Sequence, residues 1–292
     1  MSAPTISGPM SGEQISSLRE RKPEAFKVNG ARPLTDDDDD AVAGPGVRMV
    51  HQAKGSLPNT PLGASVISAI LGALLGVGLF AAAAPLWRFA GLDTAGWARP
   101  QLGIYLAAMG LFHLLEFWTT AGWNYHKLSI DAFLLNNGAH YHYAHAAGLA
   151  EYFICSYFWP GKFKSPFASV PVLCIFTALM LLGQVFRALA MVQAGHSFSH
   201  IVKRVKLNDH VLITHGVYAY VRHPSYVGFF YWAVGTQLLL CNMFSTLAFV
   251  VVLRRFFGSR IKDEEVWLRN FFGEAYTVYA NKVGSGLPWL IK

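Results

Sequence analysis

From Pro61 onward the chain alternates long apolar runs with short polar breaks. The apolar segments fall near residues 61–86, 101–121, 131–157, 168–192, 225–241 and 243–258. Pro61 to Ala84 carries no charged residue, and neither does Phe167 to Phe186. Each is close to the ~20 residues a helix needs to cross the hydrocarbon core of a bilayer. The third segment is interrupted by the polar stretch "NNGAHYHYAHAAGLAEY". The last two are separated only by "CNMFS", which predicts a tight helical hairpin. The pattern as a whole predicts an all-α integral membrane protein of about six transmembrane helices. Gly72 and Gly76, in "GALLGVG", lie inside an apolar run with no strand ahead of them. They predict helix packing through small residues rather than a phosphate-binding loop.

Residues 1–58 break the pattern. They are rich in Ser, Pro, Gly and charge, include the run Asp36 to Asp40, and show no periodicity. They predict a disordered, solvent-exposed tail ahead of a membrane domain over 59–292. Nothing near Met1 has a basic-then-apolar layout, so a cleaved secretory peptide is not expected. Composition agrees with a membrane protein: 53% of residues are hydrophobic and 14% charged, against about 25% charged in soluble domains. The formal charge of +7 sits between and after the apolar segments. Lys203, Arg204, Lys206 and Arg222 occupy the 193–224 connection, and the end of the chain carries Arg254, Arg255, Arg260, Lys262, Arg269 and Lys282. The positive-inside bias puts that connection and both termini in the cytosol. Lys162 and Lys164 fall on the other side. No basic–aromatic module of a nucleic-acid binder appears, so no nucleic acid is expected as a partner. Cys155, Cys174 and Cys241 are odd in number and form no CxxC pair, so they read as small hydrophobes.

Ionisable residues at membrane depth are tolerated mainly where they line a site. Arg187, within "LLGQVFRALAMV", either snorkels to the cytosolic surface or lines such a site. His196 and His200 have i, i+4 spacing but no acidic neighbour and no third ligand, so no metal site is expected. The stretch "NDHVLITHGVYAYVRHPSYVG" is richer in signals. Pro224 suits the first turn of a helix, and His223 before it is pushed out of helical geometry. A helix N-terminus beside Arg222 and His223 favours an anionic group. Gly216 and Gly228 permit close backbone approach. Tyr218, Tyr220 and Tyr226 offer faces for a cation or a flat ring. The segment therefore reads as a site for a ligand with charges and an aromatic part, or else as an interfacial aromatic belt. Further on, Arg260 and Glu264 stand four apart, the spacing of a surface ion pair.

The strings "FLLNN", "FWP", "RALAM", "SFSHIV", "HVLITHGVYAYVRHPSYVGFFYWAVGTQLLLCN", "RI..EE", "FFGEAY" and "GLP" together resemble the isoprenylcysteine carboxyl methyltransferases, over about residues 100 to 292. "RHPSYVG" alone is shared with phospholipid methyltransferases and some sterol reductases. The full string, followed by Arg260 and "FFGE", is more specific. The short tail and six spans look like fungal members. The resemblance implies a multi-pass enzyme of the endoplasmic reticulum membrane, with its catalytic part in about 187–292 facing the cytosol. It implies methyl transfer from S-adenosylmethionine to the C-terminal carboxylate of the prenylated cysteine of CaaX-processed proteins, in contact with the lipid bilayer. An oligomer is compatible with it. The residues implied to bind the cofactor are His210, Val211, Leu212, Ile213, Tyr218, His223, Pro224, Ser225, Tyr226 and Glu264. Lys203 belongs to that set by alignment, but it stands where the family has Gln, so only a backbone contact is implied. Arg260 matches the substrate-carboxylate arginine and Arg187 a second functional arginine. A carboxylate with a pKa near ~3.5 is already ionised at neutral pH, so no general base is required. The alternatives are a phospholipid N-methyltransferase, a sterol reductase and a non-enzymatic channel or transporter.

Overall fold

The computed structural model describes residues 49, 53, 57–85, 98–206 and 210–287. Among them every regular element is helical. The elements are α1 (Pro61–Ala82), α2 (Pro100–Trp123), α3 (Ala139–Phe158), α4 (Val170–Ala194), α5 (Pro224–Leu239), α6 (Met243–Phe272) and α7 (Glu274–Lys282), with short 3-10 turns between them. α1, α2, and α4 with the turn after it, are long and apolar enough to cross a membrane. α3 carries the His and Tyr cluster, α5 has only 16 residues, and the second half of α6 is charged. The tail expected over 1–58 lies outside the described residues except for Met49, Ala53, Leu57 and Pro58. Met49 and Ala53 pack against the cluster of Leu71, Leu114, Ile130 and Phe133.

Pro stands at the start of α1, α2 and α5, where the missing N–H costs no hydrogen bond. The expected tight hairpin is present. α5 ends as Cys241 turns to φ 56°, and the Asn242 N–H closes back on the Gln237 carbonyl at 3.0 Å. Asn242 Nδ2 also donates to Gln237 Oε1 (3.0 Å) and to the Gly148 carbonyl on α3 (2.7 Å). The first N–H groups of α6, at Phe244 and Ser245, donate to the Glu151 carboxylate of α3. A carboxylate there satisfies donors the helix cannot and matches the positive end of its dipole.

Helices α1 and α2 run antiparallel in close contact. A Cβ on Gly78 would lie 2.4 Å from the Ala107 nitrogen, and one on Gly110 2.7 Å from the Leu71 carbonyl oxygen. The small-residue packing expected in α1 is thus real but belongs to Gly78. Gly72 and Gly76 have nothing among the described residues within 4 Å of a Cβ, because they lie on another face of the helix. α4 and α5 cross in the same way at Gly183 and Gly228. The C-terminal ends of α2, α4 and α6 meet the N-terminal end of α5, and the residues of interest gather there.

Candidate active site

The 195–201 turn is fastened to the end of α2. Asn124 Nδ2 donates to the Phe198 carbonyl (3.1 Å), and Lys127 Nζ donates to the carbonyls of His196 (2.7 Å) and Phe198 (2.5 Å). Ser197 Oγ in turn accepts from the Val211 N–H at 3.1 Å, which holds the extended stretch His210–Ile213 beside it. The Val217 N–H donates to Gln193 Oε1 of α4 (2.8 Å), and Gly216, at φ 61°, lies against that same side chain. Tyr218 donates its hydroxyl to the Ala190 carbonyl (3.2 Å), and burial raises its phenol pKa. Together these segments line one cavity with the start of α5. Its walls include His210, Leu212, Tyr218, His223, Tyr226 and Glu264, and α6 and α7 close it with Leu268, Phe272 and Tyr279.

Arg222 and His223 are buried at the mouth of α5. Both donate to Glu265 Oε1, from Arg222 Nε (2.8 Å) and His223 Nε2 (3.0 Å). Arg222 also bonds the carbonyls of Ala280 and Val283, and its own N–H donates to the Gly284 carbonyl. Burial alone would raise the Glu265 pKa. The hydrogen bonds and charges of His223 and Arg222 outweigh it and hold the carboxyl at about 2. The charge at the mouth of α5 is therefore compensated by this acid and by backbone carbonyls. It fastens the C-terminal segment over the cavity.

A second cavity, of about 100 Å³, adjoins the first. Both are lined by Ser225 and Tyr226, and by Phe198 and Ser199. The second also has Arg187, His200, Phe229, Phe257 and Arg260 in its wall. Arg187 does not snorkel. It is 6% exposed and forms a two-pronged pair with Glu116 of α2 (2.5 and 2.9 Å), while Nη1 donates to Ser225 Oγ (2.9 Å). Arg260 and Glu264 do not pair directly. Tyr226 stands between them, accepting from Arg260 Nε (2.9 Å) and donating to Glu264 Oε2 (2.7 Å). Arg260 Nη2 donates to the His200 carbonyl, and Nη1 has no partner among the described residues. The His200 imidazole lies 3.8 Å from Glu116. Burial lowers its pKa to about 4 in spite of that acid, so the ring is neutral at physiological pH. A wide groove of about 990 Å³ runs outward from Arg260, between residues 201–205 and α6.

Two adjoining cavities, one with tyrosine faces and a carboxylate and one with an arginine that still has donors to give, fit a two-substrate transferase. Residues 175–270 match the model of the isoprenylcysteine carboxyl methyltransferase family. Protein-S-isoprenylcysteine O-methyltransferase of Saccharomyces cerevisiae is 44% identical over 230 residues, covering 77% of this chain and 90% of the yeast protein. The enzyme of the same name from Schizosaccharomyces pombe is 44% identical over 234 residues, covering 76% of this chain and 92% of its own. The chain belongs to the isoprenylcysteine carboxyl methyltransferase family. The fold agrees with a solved structure of the eukaryotic intramembrane Ras methyltransferase ICMT, at a TM-score of 0.70 and 37% identity over 77% of this chain and 76% of that one. The phospholipid, sterol and channel alternatives find no support among these relatives.

Of the cofactor residues implied by the family, His210, Val211, Leu212, Ile213, Tyr218, His223, Pro224, Ser225, Tyr226 and Glu264 all line the first cavity. Lys203 does not. It borders the outer groove, and a small cleft that it shares with His210 and Glu264. Arg187 and Arg260 meet in the second cavity. Sequence reasoning missed Glu116, although an acid inside "GLFHLLEFW" is itself a signal, since a charge at such depth needs a partner. It also missed Phe198 and Ser199, whose position in both walls no local pattern announces.

Proposed function

We propose that S-adenosylmethionine occupies the first cavity and that Arg260 holds the substrate carboxylate in the second. The chain is a methyltransferase acting on the carboxyl group of prenylated cysteine, and the adjoining cavities with Ser225 and Tyr226 in common carry this assignment of sites. The first cavity's residue types fit the cofactor. The Tyr218 and Tyr226 faces and the Glu264 carboxylate suit a sulfonium cation. The apolar run Val211–Ile213 and Phe272 suit a flat base, and the first N–H groups of α5 suit a carboxylate. When bound, this cofactor supplies an electrophilic methyl group. The chain's own part is to orient and to exclude water. Arg260 presents its Nη1–Nη2 edge to the two carboxylate oxygens, using the donors of Nη1 and the second N–H of Nη2. Tyr226 fixes the Arg260 side chain through the hydroxyl between it and Glu264. Arg187 takes the supporting position, holding Ser225 at the start of α5. Phe198, Phe229 and Phe257 keep the meeting point dry, which strengthens each of these contacts. No side chain need take a proton, because the nucleophile is already an anion.

The six helices α1–α6 all span the membrane in this reading, with residues ahead of Met49 outside the catalytic unit. They run alternately up and down, so the start of α1 shares the active-site end. The lysines and arginines of 203–222 and 254–282 favour a cytosolic site and cytosolic termini, and the family implies the endoplasmic reticulum. The prenyl chain reaches the second cavity from the bilayer. The experiment is calorimetric titration of the purified protein with S-adenosylmethionine. His223→Ala, which strips one wall of the first cavity and one bond from Glu265, is expected to weaken binding about tenfold or more. Unchanged affinity would move the cofactor out of this cavity.

A further inference from the structure

Among the described residues, the second cavity has two guanidinium groups in its wall and no carboxylate. Such a wall would grip any anion hard, and would do so without reference to chemistry. Glu116 changes that charge count from behind. It lies outside the cavity lining, is 1% exposed, and takes two hydrogen bonds from Arg187. Arg187 spends a further donor on Ser225 Oγ, whereas Arg260 Nη1 has no partner among the described residues. The neutral His200 ring adds no charge, although its Nε2 is buried 3.8 Å from Glu116.

We propose that Glu116 is a specificity-determining residue: by cancelling the Arg187 charge it leaves Arg260, among the described residues, as the one net cation facing the substrate. The free acid is then held by a single charge. The methyl ester, which has lost that charge, is held only by its lipid and is released. Glu116 thus sets how strongly the site distinguishes its substrate from its own product. This rests on the reading of Arg260 as the carboxylate ligand.

The test is equilibrium binding to the full chain in detergent, without methyl donor so that nothing turns over. The probes are N-acetyl-farnesylcysteine and its methyl ester, and the quantity read is the ratio of their dissociation constants, ester over acid. Partition of each probe into micelles is alike for all variants, and any inactive fraction is common to both probes on one preparation, so both drop out when ratios are compared. Glu116→Gln leaves Arg187 uncancelled, and the ratio should rise about tenfold or more. A ratio that is unchanged or lower would overturn the proposal and leave Glu116 as a structural anchor. Where Glu116→Gln does not yield folded protein, the neutral pair Glu116→Gln with Arg187→Gln is measured instead. Its cavity charge equals that of the native protein, so the ratio should stay within about threefold of it. A ratio collapsing toward one would mean that Arg187 grips the carboxylate itself, which equally overturns the proposal. A native protein that shows no preference for the acid would instead refute the Arg260 reading on which the proposal stands.

Discussion

Arg260 and Arg187 face the same cavity but differ in what they have left to give. Arg187 is committed to Glu116 and Ser225, while Arg260 retains Nη1 for a ligand. Replacing Arg260 with Lys keeps the charge and loses the planar fork. Losing one charged hydrogen bond costs on the order of 1.5–3 kcal/mol, or about ten- to a hundred-fold in kcat/KM for the prenyl substrate. Cofactor affinity should be nearly spared. Steady-state kinetics against both substrates checks this, and near-native turnover would return the carboxylate to Arg187. Tyr226 and His223 could be read from the sequence because charged and aromatic residues are conspicuous at the edge of an apolar run, whereas Arg260 stands out only through the family resemblance. Their partners could not. The i, i+4 spacing pointed to an Arg260–Glu264 pair, yet Tyr226 reaches between them from α5, and Glu265 takes Arg222 and His223. Such pairings depend on how α5 and α6 cross, which no local pattern encodes.

At the scale of helices, the α4–α5 crossing holds the site. A Cβ on Gly228 would sit 2.6 Å from the Arg187 nitrogen and from the Gly183 carbonyl oxygen, both of them backbone atoms that cannot step aside. Gly228→Ala should therefore force the helices apart and displace Arg187, at a cost of about 1–3 kcal/mol. Gly72→Ala meets nothing within 4 Å among the described residues and should be neutral or slightly stabilising, since Ala exceeds Gly in helix propensity by about 1 kcal/mol. Thermal unfolding of both variants in detergent tests this. Equal melting temperatures would show that the crossing does not rely on Gly228. The six apolar segments marked helices α1 to α6 to within a few residues, save for the later start of α3 and the extension of α6 through Phe272. The hydropathy pattern ends where charge begins, but a helix does not. The continuation of α6 past Phe257 supplies Arg260, Glu264 and Glu265 to the site. Which glycines make contacts was not legible, because that depends on the face each presents to a neighbouring helix.

For the whole molecule, the arrangement answers a mismatch between two substrates. The proposed methyl donor is polar and would reach the enzyme from water; the prenylated substrate carries a lipid that has no place there. The helices bring their basic and aromatic ends together at one end of the bundle. α7 and the segment bonded to Arg222 close the first cavity over that end, and apolar faces of α1 and α4 are left for the bilayer. The enzyme thus methylates a carboxylate that it recognises together with a prenyl chain. The direct measurement is transfer of labelled methyl from S-adenosylmethionine, by the full chain in liposomes, to N-acetyl-farnesylcysteine and to N-acetylcysteine in parallel. Methyl ester should form on the farnesylated compound, with at least about a hundredfold lower kcat/KM on the other, since burying even a few methylene groups is worth ~2–3 kcal/mol. Equal rates on both compounds, or no ester on either, would contradict it.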